Sequence, residues 1–122
     1  MAQIKYNLGN VKSGNNYSTN EQVIGTWING KPIYRKVSTI PNFNTGTYQA
    51  SALGINNVET MINVDGYLTN SNYSNIRTGG FFGSGYGIVI VYKTDKSFQT
   101  ELRGFESGKF TLIVEYTKTT DA

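Results

Sequence analysis

Residues 65–87, "DGYLTNSNYSNIRTGGFFGSGYG", carry the side chains best suited to gripping a sugar. A sugar presents apolar C–H faces and a ring of hydroxyls, so its sites pair an aromatic ring with short amide, carboxylate or guanidinium groups. Tyr67, Tyr73 and Tyr86 supply rings, and Asp65, Asn70, Asn72, Asn75 and Arg77 supply hydrogen bonds. Phe81 and Phe82 lie in the same stretch, where plugging the core beneath a loop accounts for them better than stacking does. Tyr67, Tyr73 and Arg77 stand among polar residues and are the stronger candidates. A long irregular segment inside a compact domain is usually functional or disordered.

Other chemistries fit less well. The glycine run Gly79, Gly80, Gly83, Gly85, Gly87 leads into "IVIVYK", a strand pattern, whereas a phosphate loop feeds a helix N-terminus. In "GFESGK" the two glycines stand too close, and Phe110 occupies the place of the Mg²⁺-binding hydroxyl. The carboxylates Glu59, Asp65, Asp95, Glu101, Glu106 and Glu115 fall in expected turns or at solvent-facing strand positions, not as the facing pair a glycosidase needs. The chain has no Cys and no His, which removes imidazole and thiolate ligands, Ser-His-Asp triads and Cys-His pairs. No dense Asp/Asn loop suits a metal. The reading is a non-enzymatic chain with no cofactor and no metal. "WINGKPIYRK" alternates rings with cations as a base-stacking sheet does. The formal charge of +3 is modest and spread along the chain, so nucleic acid is disfavoured as a partner.

The frame that must position these groups reads as β. The 122 residues fit one domain, and 38% hydrophobic residues allow a core. Nine Tyr and 14 Gly, with abundant Asn, Ser and Thr, suit strands joined by polar turns. Asn29-Gly30 between apolar runs predicts a hairpin over Val23–Ile40 with a two-residue type I′ loop. That register places Trp27 opposite Pro32 and Gly25 opposite Tyr34. A short strand is expected near Thr47–Ala50. Another is expected over Val58–Val64, with Val58, Thr60, Ile62 and Val64 on one face and Asp65-Gly66 turning after it. Tyr86–Thr94, Ser97–Gly104 and Lys109–Lys118 read as a three-strand meander whose last member places Phe110, Leu112, Val114 and Tyr116 on one face and Thr111, Ile113, Glu115 and Thr117 on the other.

Residues 1–20 read as an arm or linker in which Ile4, Tyr6 and Leu8 alternate. Ser18 and Glu21 have capping-box spacing, which allows one helical turn at most. Residues 21–122 are expected to be all-β, a small antiparallel β-sandwich or barrel-like domain with essentially no helix. The start "MAQIKYNLGN" lacks the apolar stretch of a signal peptide. The apolar run Ile88–Tyr92 is too short to span a bilayer, so no membrane partner is expected.

"YSTNEQVIGTWINGKPIYRKV", with Val64-Asp65-Gly66-Tyr67 and Tyr116-Thr117-Lys118-Thr119, resembles a pattern in tail-fibre and tail-tip receptor-binding proteins of phages and prophages of Gram-positive bacteria. The shared residues are Ser18-Thr19, Glu21 to Gly25, Trp27-Ile28, Gly30 to Tyr34 and Lys36, so the resemblance spans roughly residues 17–119. Residues 40–57 and 68–110 match only in strand-like character. The resemblance implies a head domain at the tail tip of a virion, made in the bacterial cytoplasm. It further implies a homotrimer that meets other tail proteins and binds a host cell-wall polysaccharide or teichoic-acid-like glycan. A hairpin shared among tips facing different hosts suits scaffold better than reader, so Trp27, Pro32, Ile33 and Tyr34 are expected to pack the fold or the trimer seam. The alternatives are a structural tail or baseplate module without its own ligand, and a single-stranded nucleic-acid-binding sheet.

Overall fold

A computed structural model describes residues 17–79 and 85–122. The expectations for Ile4, Tyr6, Leu8, Gly80, Phe81, Phe82 and Gly83 lie outside the described residues. The strands are β1 (Gln22–Thr26), β2 (Pro32–Phe43), β3 (Gly46–Gln49), β4 (Val58–Thr69), β5 (Ile76–Arg77), β6 (Gly87–Tyr92), β7 (Ser97–Arg103) and β8 (Gly108–Lys118). A single 3₁₀ turn, Ser51–Leu53, interrupts them among the described residues. Among the described residues all pairings are antiparallel, in a five-stranded sheet of order β1-β2-β8-β4-β5 and a three-stranded sheet of order β3-β7-β6. The chain is all-β, a small sandwich-like fold in which the larger sheet curls.

The core lies between the sheets and follows the alternation of β8. Phe110, Leu112, Val114 and Tyr116 are all fully buried. Beside them in the same sheet lie Ile40 and Phe43 from β2 and Leu68 from β4, and the small sheet adds Ile88 and Ile90 from β6 and Phe98 from β7. Phe43 and Phe110 stack with ring centres 4.5 Å apart. Offset pairs of this kind add about 0.5–1.5 kcal/mol beyond the apolar area they bury.

The three-strand meander is corrected. β6 and β7 form a hairpin in the small sheet, but β8 crosses over and inserts between β2 and β4 in the large one. There both of its edges are paired, and its apolar face joins the core with the side chains of the small sheet. The face assignment of β4 is also corrected. Register shifts between Val58 and Thr60 and between Met61 and Asn63 each add a residue, which rotates the faces. Met61 and Val64 therefore pack against the core, and Ile62 does not.

Asp65-Gly66 does not turn the chain, because β4 runs through it to Thr69. Gly66 has φ +152°, and a Cβ there would stand 2.7 Å from the Phe110 ring and closer still to the Thr111 carbonyl. The glycine admits the neighbouring strand instead of making a corner.

The first hairpin is shifted by one residue from the expected register. The Trp27 N–H donates to the Lys31 carbonyl at 2.8 Å, and the Gly30 N–H donates to the Trp27 carbonyl at 2.9 Å. Thr26 then faces Pro32, Gly25 faces Ile33 and Val23 faces Tyr34. Only Gly30 has positive φ, at +87°, so Ile28, Asn29 and Gly30 make a three-residue loop with one left-handed position. The β6–β7 turn repeats this design, with Lys93 N–H donating to Ser97 O and Lys96 at φ +67°. Pro32 opens β2, where its missing N–H costs no ladder bond. Tyr34 packs at the core's edge against Tyr116, ring centres 6.2 Å apart, and donates to Asp121 at 2.8 Å.

No helical turn follows Ser18. Its hydroxyl accepts from the Asn20 N–H at 3.0 Å, and Glu21 accepts instead from the Tyr116 hydroxyl and from Lys118 at 2.7 Å. Residues 17–20, expected in the arm, run beside β2. The Val37 N–H donates to the Ser18 carbonyl at 2.8 Å, and Lys36 donates to the Thr19 carbonyl at 2.6 Å.

Candidate functional site

Along β4, Val64, Gly66 and Leu68 face the core, so Asp65 and Tyr67 face outward from the large sheet. Along β8 the outward residues include Thr111 and Ile113, and along β2 they include Arg35 and Val37. The order β2-β8-β4 sets these three rows side by side. Tyr17 completes the arrangement. Its ring lies over the Arg35 guanidinium, 4.5 Å from the centroid.

The result is a groove of about 410 Å³ lined by Tyr17, Ser18, Thr19, Val37, Tyr67, Thr111 and Ile113. That volume falls at the lower end of small-ligand sites, which run from about 300 to 1,000 Å³. Thr111 and Ile113 form the floor, with tyrosines at the β2 and β4 sides. Tyr67 pairs with both Thr111 and Arg77, and Asp65 pairs with Ile113. The Arg77 guanidinium stands 3.0 Å and 3.2 Å from the two Asp65 carboxylate oxygens. Asp65 also accepts from the Gly66 N–H at 2.8 Å, which fixes the carboxylate beside the groove. On the other flank Arg35 meets Glu115 at 2.9 Å.

Of the eight residues singled out in the sequence, Asp65, Tyr67 and Arg77 therefore come together on the outer face. Of these only Tyr67 lines the groove, with Asp65 and Arg77 beside it, and the other five are not part of its lining. Asn70 spends its side chain on the β4–β5 connection: its oxygen accepts from the N–H groups of Asn72 at 2.9 Å and Tyr73 at 2.8 Å, and its nitrogen donates to Glu106 O at 3.0 Å. Asn72 and Asn75 are exposed in that connection. Tyr73 and Tyr86 both meet Phe105 edge-on, with ring centres 5.8 Å and 5.5 Å away. Phe105 had no signal in the sequence beyond being one aromatic in a turn. Tyr86 also packs so closely on Gly104 that a Cβ there would overlap its ring. These contacts give Tyr73 and Tyr86 a structural duty, although each remains about 40% exposed (43% and 40%).

A second hollow of similar size, about 380 Å³, opens between β4 and the β6–β7 turn and contrasts in its chemistry. It includes Glu59, Lys93 and Lys96. Glu59 pairs with Lys31, and Lys96 donates to Val58 O at 3.0 Å. No group of three metal-ligating side chains comes together among the described residues.

Of the seven lining residues only Tyr67 was a candidate from the sequence; Tyr17, Ser18 and Thr19 entered that reading only through the motif, and the strand residues Val37, Thr111 and Ile113 were not singled out as site residues. A β-branched residue facing outward on a strand carries no binding signal of its own. Only the strand order reveals that these face Tyr67.

No family model matches this chain, and no curated protein or solved structure matches it.

Proposed function

We propose that this chain is the receptor-binding head of a phage tail fibre, non-catalytic and assembled as a homotrimer at the virion's tail tip. In this reading it holds a host cell-wall glycan in the outer-face groove. The observation that carries it is the pairing of Tyr17 and Tyr67 across a hydroxyl-bearing floor, with the fixed Asp65–Arg77 pair alongside. Aromatic faces take the C–H surface of a sugar, and the hydroxyls and the ion pair offer partners for its hydroxyls. The sequence resemblance supplies the biological setting. Ser18 and Thr19, which belong to the motif that carries the resemblance, line the groove, so in this reading part of that motif stands next to the ligand.

The alternative of a nucleic-acid-binding sheet would need cations along the groove, because phosphate neutralisation dominates such binding. A structural module without a ligand would leave the groove without use. The test is incubation of labelled protein with isolated host wall polysaccharide, compared with Tyr67→Ala. Binding by the wild type and a loss of about 1–3 kcal/mol in the variant is the expected result. Absence of binding to any wall fraction removes the reading. Light scattering is expected to give three times the 13.5 kDa chain mass. A clean monomer would remove the trimer.

A further inference from the structure

We infer that the ligand of this groove is an uncharged saccharide segment and not a phosphate-bearing polymer. The inference rests on the carbohydrate-binding reading and narrows it. None of the seven lining residues, Tyr17, Ser18, Thr19, Val37, Tyr67, Thr111 and Ile113, carries a charge. Five of them bear hydroxyls, and two present only apolar surface.

The two guanidinium groups beside the groove are each paired with a carboxylate. Asp65 holds Arg77 at 3.0 Å, and Glu115 holds Arg35 at 2.9 Å beneath the Tyr17 ring. An anion entering here would lose water and find both guanidinium groups already facing carboxylates, with the Lys36 amine turned to the Thr19 carbonyl. Such a transfer is costly unless a new charge partner compensates it. A neutral sugar meets no such cost. Its ring hydroxyls exchange water for serine, threonine and tyrosine hydroxyls, which both donate and accept. Lys109 lies on the same face of β8 one pleat beyond Thr111, where it pairs across to Thr69, and it stands outside the lining.

Three adjacent strands set the width. The two flanking strands stand about 10 Å apart, at roughly 4.8 Å per strand. With tyrosines at both sides, that span suits a sugar ring lying across β8 between them.

The experiment compares the protein's binding to host wall polysaccharide before and after chemical removal of its phosphate groups, and to poly(glycerol phosphate), each at low and high salt. Binding to the dephosphorylated polysaccharide is expected to persist and to change less than about twofold with salt, as fits an interaction without counterion release. Tyr67→Ala and Tyr17→Ala are expected to weaken it roughly tenfold or more. Tyr67→Phe, which keeps the ring and the fold, is expected to retain most of it, and Lys109→Ala to leave it unchanged. Binding that disappears with the phosphate, falls steeply with salt and is lost in Lys109→Ala overturns the uncharged ligand while leaving glycan recognition standing. Binding to none of the polymers overturns both. Tyrosine variants that bind normally to the dephosphorylated polymer overturn the site.

Discussion

Phe110 lies over Gly66 so closely that a single added methyl group on the glycine would stand 2.7 Å from the ring. The contact crosses from β8 to β4 at the centre of the large sheet and fixes the register on which Asp65 and Tyr67 depend. Gly66→Ala is therefore expected to destabilise the fold by about 2–4 kcal/mol, from the clash and from the positive φ together. Urea denaturation measures it. An alanine variant with wild-type stability would mean that Phe110 can move aside.

Glu21 links the segment before β1 to β8 through Tyr116 and Lys118. Burial pushes its carboxyl up, but hydrogen bonds from Lys118 and Tyr116 and the charges of Lys118 and Lys36 outweigh burial and hold it below the usual carboxylate range. A carboxyl depressed in the folded state stabilises above its unfolded value, about 4.3, and loses that contribution as pH falls through the folded one. Glu21→Gln is expected to melt below wild type at neutral pH, with the gap closing in acid. A gap that stays constant from neutral pH into acid would show that the ionised form contributes nothing.

The same partnership acts at the alkaline end. Burial first, and then the Glu21 carboxylate, raise the Tyr116 hydroxyl far above its ordinary range. A raised group stabilises fully below the unfolded value, about 10, and its contribution is lost as pH climbs toward the folded one. Tyr116→Phe is expected to flatten the loss of melting temperature above about pH 10. An equally steep alkaline decline in the phenylalanine variant would assign that decline to other tyrosines or lysines.

Lys96 occupies a left-handed conformation, φ +67°, in a turn built like the one where Gly30 stands. Its amine also ties the turn to β4 through Val58 O. Lys96→Ala and Lys96→Gly both lose that tie, so their difference isolates backbone strain. The glycine variant is expected to be more stable than the alanine variant by about 1 kcal/mol. Equal stabilities in thermal melts would mean that the turn relaxes when the lysine is removed.

Tyr73 and Tyr67 were equal candidates by their neighbours in sequence, and their environments differ. Tyr73 meets Phe105 edge-on, whereas Tyr67 lines the groove. Tyr73→Ala is expected to cost about 1–2 kcal/mol of stability, with glycan affinity within twofold of wild type. Tyr67→Ala is expected to show the opposite pattern. A binding loss in Tyr73→Ala larger than that in Tyr67→Ala would move the site to the Phe105 cluster.

What the sequence disclosed follows from how local each signal is. The shared face of Phe110, Leu112, Val114 and Tyr116 was legible because β8 alternates without interruption. The face of β4 was not, since Thr60 and Ile62 alternate as well as Val58 does and nothing in the letters marks a bulge. Asp65-Gly66 has turn chemistry, yet the glycine answers to Phe110, more than forty residues away in sequence. The Asn29-Gly30 signal located the hairpin but missed its register by one residue, because Asn29 keeps negative φ. Tyr67 could be named as a candidate ring. Its neighbours Ile113, Val37 and Tyr17 depend on strand order, which local patterning does not encode.

The central position of β8 has a consequence during synthesis. β2 and β4 emerge from the ribosome well before the strand that joins them, so each waits with an unsatisfied edge until Gly108–Lys118 follows. Waiting edges of this kind invite pairing with other nascent chains. Closure then depends on contacts distant in sequence, which slows folding. A ribosome stalled before residue 108 would release a chain with neither a large sheet nor a groove. Rapid translation of the last strand, or a chaperone that shields β2 and β4 until it arrives, would raise the yield of folded protein.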